Sequence, residues 1–153
     1  MIRERSEVGG TTMSIKQISV FLENKPGRLQ KMTGVLAAHE IDMRALSLAE
    51  TKDFGIARII VDDPFYATNI LKDNDFIASM TDVLAVAIPD EPGGLDKLLQ
   101  IFAAEEVNIE YMYAFLGAKD AYMIFRVSHT HSAETKLTNK GLRVLGDEDI
   151  AEI

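Results

Sequence analysis

Cysteine is absent from the 153 residues, and so is tryptophan. Without cysteine there is no disulfide, no thiolate zinc site and no cysteine nucleophile. A cysteine-free chain accords with a cytoplasmic location, which is the compartment we expect. Long apolar runs are missing too: none approaches the roughly 20 residues that cross a bilayer, so no membrane partner is expected. The opening "MIRERSEVGGTTM" has no apolar stretch of the kind a signal peptide carries. Residues 1–14 read as a disordered extension, with Met13 as an alternative start. Clusters of positive charge are also lacking. The net charge is −8, and a phosphate backbone would be repelled by such a surface, which argues against nucleic acid.

Familiar catalytic signatures are equally absent. There is no P-loop, no dinucleotide fingerprint and no serine elbow, and no cofactor is expected. "HTH" at 129–131 offers two histidines around one residue, but a metal needs a third ligand, and a solvated loop is the plainer reading. The 24 carboxylates include no pair marked out by spacing, so solvated surface accounts for them.

What the sequence does contain is a repeat. "ENKPGRLQKM" at 23–32 is echoed by "PDEPGGLDKLL" at 89–99, with Pro26-Gly27 and Pro92-Gly93 standing 66 residues apart. The same offset, without a gap, matches Val20 with Val86, Leu29 with Leu95, Lys31 with Lys97, Glu40 with Glu106, Val61 with Val127, and Leu71 with Leu137. Self-similarity at a fixed period indicates a duplicated unit, and we place the two at 15–81 and 82–153.

Each unit alternates two periodicities. Ile18, Val20 and Leu22 recur every second residue, as do Leu84, Val86 and Ile88, which predicts a strand. After the Pro-Gly corner, Leu29, Met32 and Leu36, and in the copy Leu95, Leu98, Leu99 and Phe102, follow helical spacing. "EIDM" and "EVNI" predict the end of the helix at Asp42 and Asn108. A strand is expected from Met43 to Ala49 and from Ile109 to Phe115. Turns at "TKDFG" and "LGAKDA" lead to third strands "IARIIV" and "YMIFRV". Asp63-Pro64 caps and starts a second helix, whose copy follows "HTHS" and stops at Gly141. Short last strands are expected near 77–80 and 143–145. The order βαββαβ, given twice, is the ferredoxin-like split βαβ of the α+β class: antiparallel sheets with helices on one face. Ile56, Ile60, Tyr122 and Ile124 make the other face too apolar to be fully wet. That predicts cover for a face or edge, with a second copy of the chain, a homodimer, as its source.

The corner admits two readings. Proline near the first helical position is pre-set for helix. Lys25 and Glu91 before it are poor N-caps, so the amides of Gly27, Arg28 and Leu29, and of Gly93, Gly94 and Leu95, are expected to lack a local acceptor. Orphan amides at a helix start suit a carboxylate, and glycine lets a ligand come close. Asn24 and Asp90 could accept from an ammonium group, and an amino acid carries both groups. In the plainer reading Asn24 and Asp90 make Asx-turns and water takes the amides. Local physics alone favours the plainer one, since most helix starts bind nothing.

"ENKPGRL…HEIDM" and "PDEPGGL…EEVNI", in tandem within βαββαβ, resemble the ACT domain family over nearly all of 15–146. ACT domains are generally regulatory modules that bind amino acids or other small metabolites, usually where two domains pair. The resemblance implies ligand contacts from Asn24, Pro26, Gly27, Arg28 and Leu29, and from Asp90, Pro92, Gly93, Gly94 and Leu95. It implies a facing wall of Asp42, Met43, Asn108 and Ile109, with Tyr111 and Tyr113. Such domains are often attached to an enzyme or a DNA-binding domain, which this sequence does not include, so a separate regulated enzyme is a candidate partner. Three functions follow in order: a sensor of an amino acid, a ligand-free interaction module acting on a separate enzyme, and a small enzyme using carboxylates or the HTH segment.

Overall fold

The computed structural model describes residues 15–50, 53–116 and 120–152. The expected extension over 1–14 and the turn tips at 51–52 and 117–119 lie outside these residues. The chain divides into two compact units, one from Lys16 to Asp82 and one from Val83 to Glu152. The first holds β1 (Ile15–Glu23), α1 (Arg28–Ala38), β2 (Met43–Glu50), β3 (Phe54–Val61) and α2 (Pro64–Asp73), and leads into β4 (Ile77–Pro89). The second takes over the rest of β4 and adds α3 (Gly94–Ala104), β5 (Ile109–Leu116), β6 (Asp120–Val127), α4 (Thr130–Asn139), β7 (Arg143–Leu145) and α5 (Asp147–Glu152).

The first unit runs β2-β3-β1 with β4 beside β1, and the second runs β5-β6-β4 with β7 also on β4. The strand pairs are antiparallel. This is the ferredoxin-like α+β arrangement, given twice. Its cores correspond residue for residue. Ile18, Val20, Met32, Leu36, Ile59 and Leu71 fill the first, and Leu84, Val86, Leu98, Phe102, Phe125 and Leu137 hold the same places in the second. Burying each such side chain contributes about 1.5–3 kcal/mol.

Three details differ from the pattern read in the sequence. The strands expected at 77–80 and from Leu84 are one strand of 13 residues, because Thr81 and Val83 between them are β-branched and suit extended backbone. The first helix of each unit ends at Ala38 and Ala104, before Asp42 and Asn108. Closure comes from Ile41 N–H donating to Leu36 O (3.0 Å) and Val107 N–H to Phe102 O (2.9 Å). Glu40 and Glu106 take the left-handed position at φ 55 and 57. The short acidic α5 had no counterpart in the repeat to announce it.

Other expectations hold in detail. Asp63 caps α2 through Tyr66 N–H (3.1 Å), and Gly141 (φ 83) follows the end of α4. Ile60, Ile124 and Tyr122 on the helix-free face are already buried in the single chain, at 1%, 0% and 7% exposure. The large apolar side chains still exposed include Phe21, Leu46, Leu48 and Phe54.

Candidate functional site

The two Pro-Gly corners share one backbone. In the first, Lys25 N–H donates to Glu23 O (2.8 Å) and Arg28 N–H to Lys25 O (3.3 Å). In the second, Glu91 N–H donates to Pro89 O (3.0 Å) and Gly94 N–H to Glu91 O (3.1 Å). Gly27 and Gly93 then occupy the N-cap position at φ 88 and 86, in left-handed geometry that disfavours any side chain. Neither helix has a side chain capping its start. Lys31 and Lys97 N–H begin the helical ladder on Gly27 O and Gly93 O. The amides of Arg28 and Gly94 are thus engaged, contrary to expectation. Leu29 and Gln30, and Leu95 and Asp96, are the first-turn amides left without a side-chain cap.

The side chains around these matching backbones differ. At the first corner a cavity of about 70 Å³ is lined by Asn24, Arg28, Leu29, Leu48, Glu50 and Gly55 among others. Asn24 Nδ2 donates to Glu50 Oε2 (3.2 Å), and Asn24 N–H to Asp53 O (3.3 Å), which ties the corner to the far end of β2 and the start of β3. Lys25 pairs with Glu23 at 2.9 Å, and Arg28 approaches the same carboxylate at 4.0 Å. The Arg28 guanidinium also lies 5.6 Å from the centre of the Phe76 ring. Glu23 titrates below the usual carboxylate value, first because Lys25 hydrogen-bonds to it, then through the charges of Lys25 and, more weakly, Arg28.

At the second corner the same places hold Asp90 for Asn24, Glu91 for Lys25, Gly94 for Arg28, Leu116 for Glu50 and Ala121 for Gly55. Gly94 is buried against the end of β4: a Cβ there would sit 2.7 Å from Pro89 O. Asp96 brings a carboxylate into the first turn of α3, where α1 has none. It accepts from Gln100 Nε2 at 2.7 Å.

Within a unit, the wall implied by the resemblance is not at the corner. β2 runs parallel to β1, so Met43 and Glu50 are at opposite ends, roughly 23 Å apart at about 3.3 Å per residue. Asp42 N–H donates to Asp62 Oδ1 (3.2 Å), its carboxylate pairs with Arg44 (3.3 Å), and Asn108 Nδ2 donates to Ser128 Oγ (3.1 Å). These contacts pin the start of β2 and β5 to the end of β3 and β6. Tyr111 and Tyr113 pair with Arg126 and Ile124, on the face opposite the core residue Phe125. A site that joins Asp42, Met43, Asn108 or Ile109 to a corner needs a second domain facing it.

Sequence reasoning missed Leu48, Glu50 and Gly55. The signal was the topology: in a βαββαβ unit the end of the second strand lies beside the loop after the first. As for the histidine pair, His129 is the N-cap of α4 and His131 lies in its first turn, so the segment opens a helix. Among the described residues no three His, Cys, Asp or Glu side chains group as a metal site would require. No helix among them is long and apolar enough to cross a membrane.

A family model described as an ACT domain pair matches residues 13–153. A crystal structure of a Bacteroides thetaiotaomicron protein is 43% identical, covers 93% of this chain and 99% of its own, and superposes with a TM-score of 0.88. The ligand-free regulatory subunit of aspartate kinase from Thermus thermophilus is 16% identical over 85% of this chain and 94% of its own, at a TM-score of 0.61. The corresponding subunit from Thermus flavus gives 17%, 81%, 88% and 0.60. At these lower identities the likeness is one of fold. No functionally curated protein matches.

Proposed function

We propose, from the premise that this chain belongs to the ACT domain pair family, that it is a sensor of an amino acid or a similar small metabolite. The ACT pair is a regulatory module rather than a catalytic one. The observation that carries the reading is the start of α1: a helix entered through Gly27 with no capping side chain, beside a cavity lined by Asn24, Arg28 and Glu50. The amides of Leu29 and Gln30, aided by the helix dipole, would receive a carboxylate, and Asn24 would accept from an ammonium group. Occupation would favour one packing of the domain against a partner, the differential affinity that a switch requires. The partner would be a second copy of the chain or a separate regulated enzyme in the cytoplasm.

A thermal-shift screen of the purified chain against the common amino acids tests this. Ligand at 100 times its dissociation constant adds about 2.7 kcal/mol of stability. One amino acid should raise the midpoint clearly, and a flat response to all of them would count against the reading.

A second reading, a ligand-free interaction module, is favoured by Leu46 and Leu48, 41% and 52% exposed on the edge strand β2. It expects one stoichiometric partner to be recovered with Leu48 intact and lost with Leu48→Lys, whatever amino acid is present.

A further inference from the structure

The second helix of each unit, α2 or α4, begins at an equivalent place in the repeat, far from the Pro-Gly corners in sequence, and the two places have diverged. Beside α4 a cavity of about 300 Å³ opens between Val107, Asn108, Ser128, Ser132, Ala133 and Lys136. A cavity of roughly half that volume takes up a benzene ring. Beside α2 the places of Ser132 and Lys136 are held by Tyr66 and Ile70, and that of His131 by Phe65. Phe65 and Tyr66 are 60% and 44% exposed, so their own chain leaves them largely uncovered. Two adjacent aromatic side chains left in water are the mark of a contact surface.

Charge divides the two places in the same sense. Near Tyr66 are Glu40, Asp62 and Asp63, while Asp42 is paired with Arg44. In the copy, Asn108, Ser128 and His129 replace Asp42, Asp62 and Asp63, and only Glu106 keeps the carboxylate of Glu40. Lys136 adds a cation to the cavity wall. Its Nζ donates to the backbone carbonyl of Glu105 (3.0 Å), whereas the Glu105 carboxylate pairs with Lys140 (3.6 Å). One place is thus an acidic aromatic projection and the other a cavity with a cation, and each chain carries one of each.

We propose that these two surfaces join two copies of the chain. Phe65 and Tyr66 of one copy enter the α4 cavity of the other, Lys136 meets the carboxylates beside them, and the reciprocal contact closes a two-fold dimer. Val107 and Ala133 meet the rings, and Asn108, Ser128 and Ser132 offer hydrogen-bond partners to the Tyr66 hydroxyl. The contact does not depend on a ligand at the Pro-Gly corner, so it stands or falls apart from the sensor reading.

Sedimentation of the full chain over a concentration series tests this. The wild type should show a reversible monomer–dimer equilibrium that weakens as salt is added. Tyr66→Ser and Ser132→Tyr each install the residue of the other copy. Each should weaken the dimer about tenfold, the first by removing the projection and the second by filling the cavity. Lys136→Glu and Glu40→Lys should each weaken it about fivefold. Together in one chain they should recover most of that loss, since opposite charges face each other again. Thermal midpoints followed alongside show which variants are folded, and the exposed Glu40 carries the test where another variant is not. A chain that stays monomeric at every concentration overturns the proposal. So does a dimer that Tyr66→Ser and Ser132→Tyr both leave within about twofold of the wild type, because the copies then meet elsewhere. Assemblies that keep growing past two copies overturn it as well, because a reciprocal contact closes at two.

Discussion

The first and second corners follow the same course from strand to helix, yet the side chains around them have diverged. Both begin the helix through a left-handed glycine, and both close the turn on the carbonyl three residues before the proline of the proline–glycine pair. Only the first has a cation at the helix start, in Arg28, and a carboxylate on the neighbouring strand end, in Glu50. In the second, Gly94 lies directly over Pro89 O and leaves no room for a side chain. Duplication preserved the backbone that turns the chain and let the side chains around it diverge, so the two can be separated by substitution.

The largest expected effect tests that separation. Gly94→Arg, which gives the second corner the residue of the first, should cost about 3 kcal/mol in chemical denaturation, because the new Cβ meets backbone. The reverse change, Arg28→Gly, should cost only about 1 kcal/mol, from helix propensity and the lost contact with Phe76. Equal costs would break the comparison. Next, Gly27→Ala and Gly93→Ala should each destabilise by about 1–2 kcal/mol. Their Cβ atoms would meet nothing within 4 Å, so the cost is backbone strain alone and should be the same at both.

Much of this was legible from the residues. The period of 66 positions, the alternation in Ile18, Val20 and Leu22, and the helical stripe Leu29, Met32 and Leu36 all lead to the observed elements. The turn chemistry of Asp63-Pro64 and Gly141 was equally explicit. Less visible was anything that depends on three dimensions. Glu50 comes to Asn24 only because β2 runs parallel to β1, a consequence of topology that neighbouring residues do not announce. The helices end at glutamates in left-handed geometry, a place where glycine or asparagine would have been the recognisable sign. That Pro89 O leaves no room for a Cβ at Gly94 was likewise not visible in the sequence.

Smaller effects sharpen the same contrast elsewhere in the repeat. Asp63→Ala should cost about 1 kcal/mol by removing the cap on Tyr66 N–H. His129→Ala, at the equivalent uncapped start of α4, should stay within about 0.5 kcal/mol. The smallest effect concerns Glu23, whose place in the copy is Pro89. Its folded carboxyl titrates below the usual value because of Lys25, with Arg28 adding less. The stability it lends is in place above the usual carboxylate range and is lost as pH falls through the lowered folded value. Lys25→Ala should move the Glu23 titration upward when followed by NMR, with no counterpart at the second corner.

The most direct measurement is amino-acid binding by calorimetry on the full chain, using whichever common amino acid gives the largest thermal shift. The account predicts saturable binding of that amino acid to the chain. No saturable heat would contradict it.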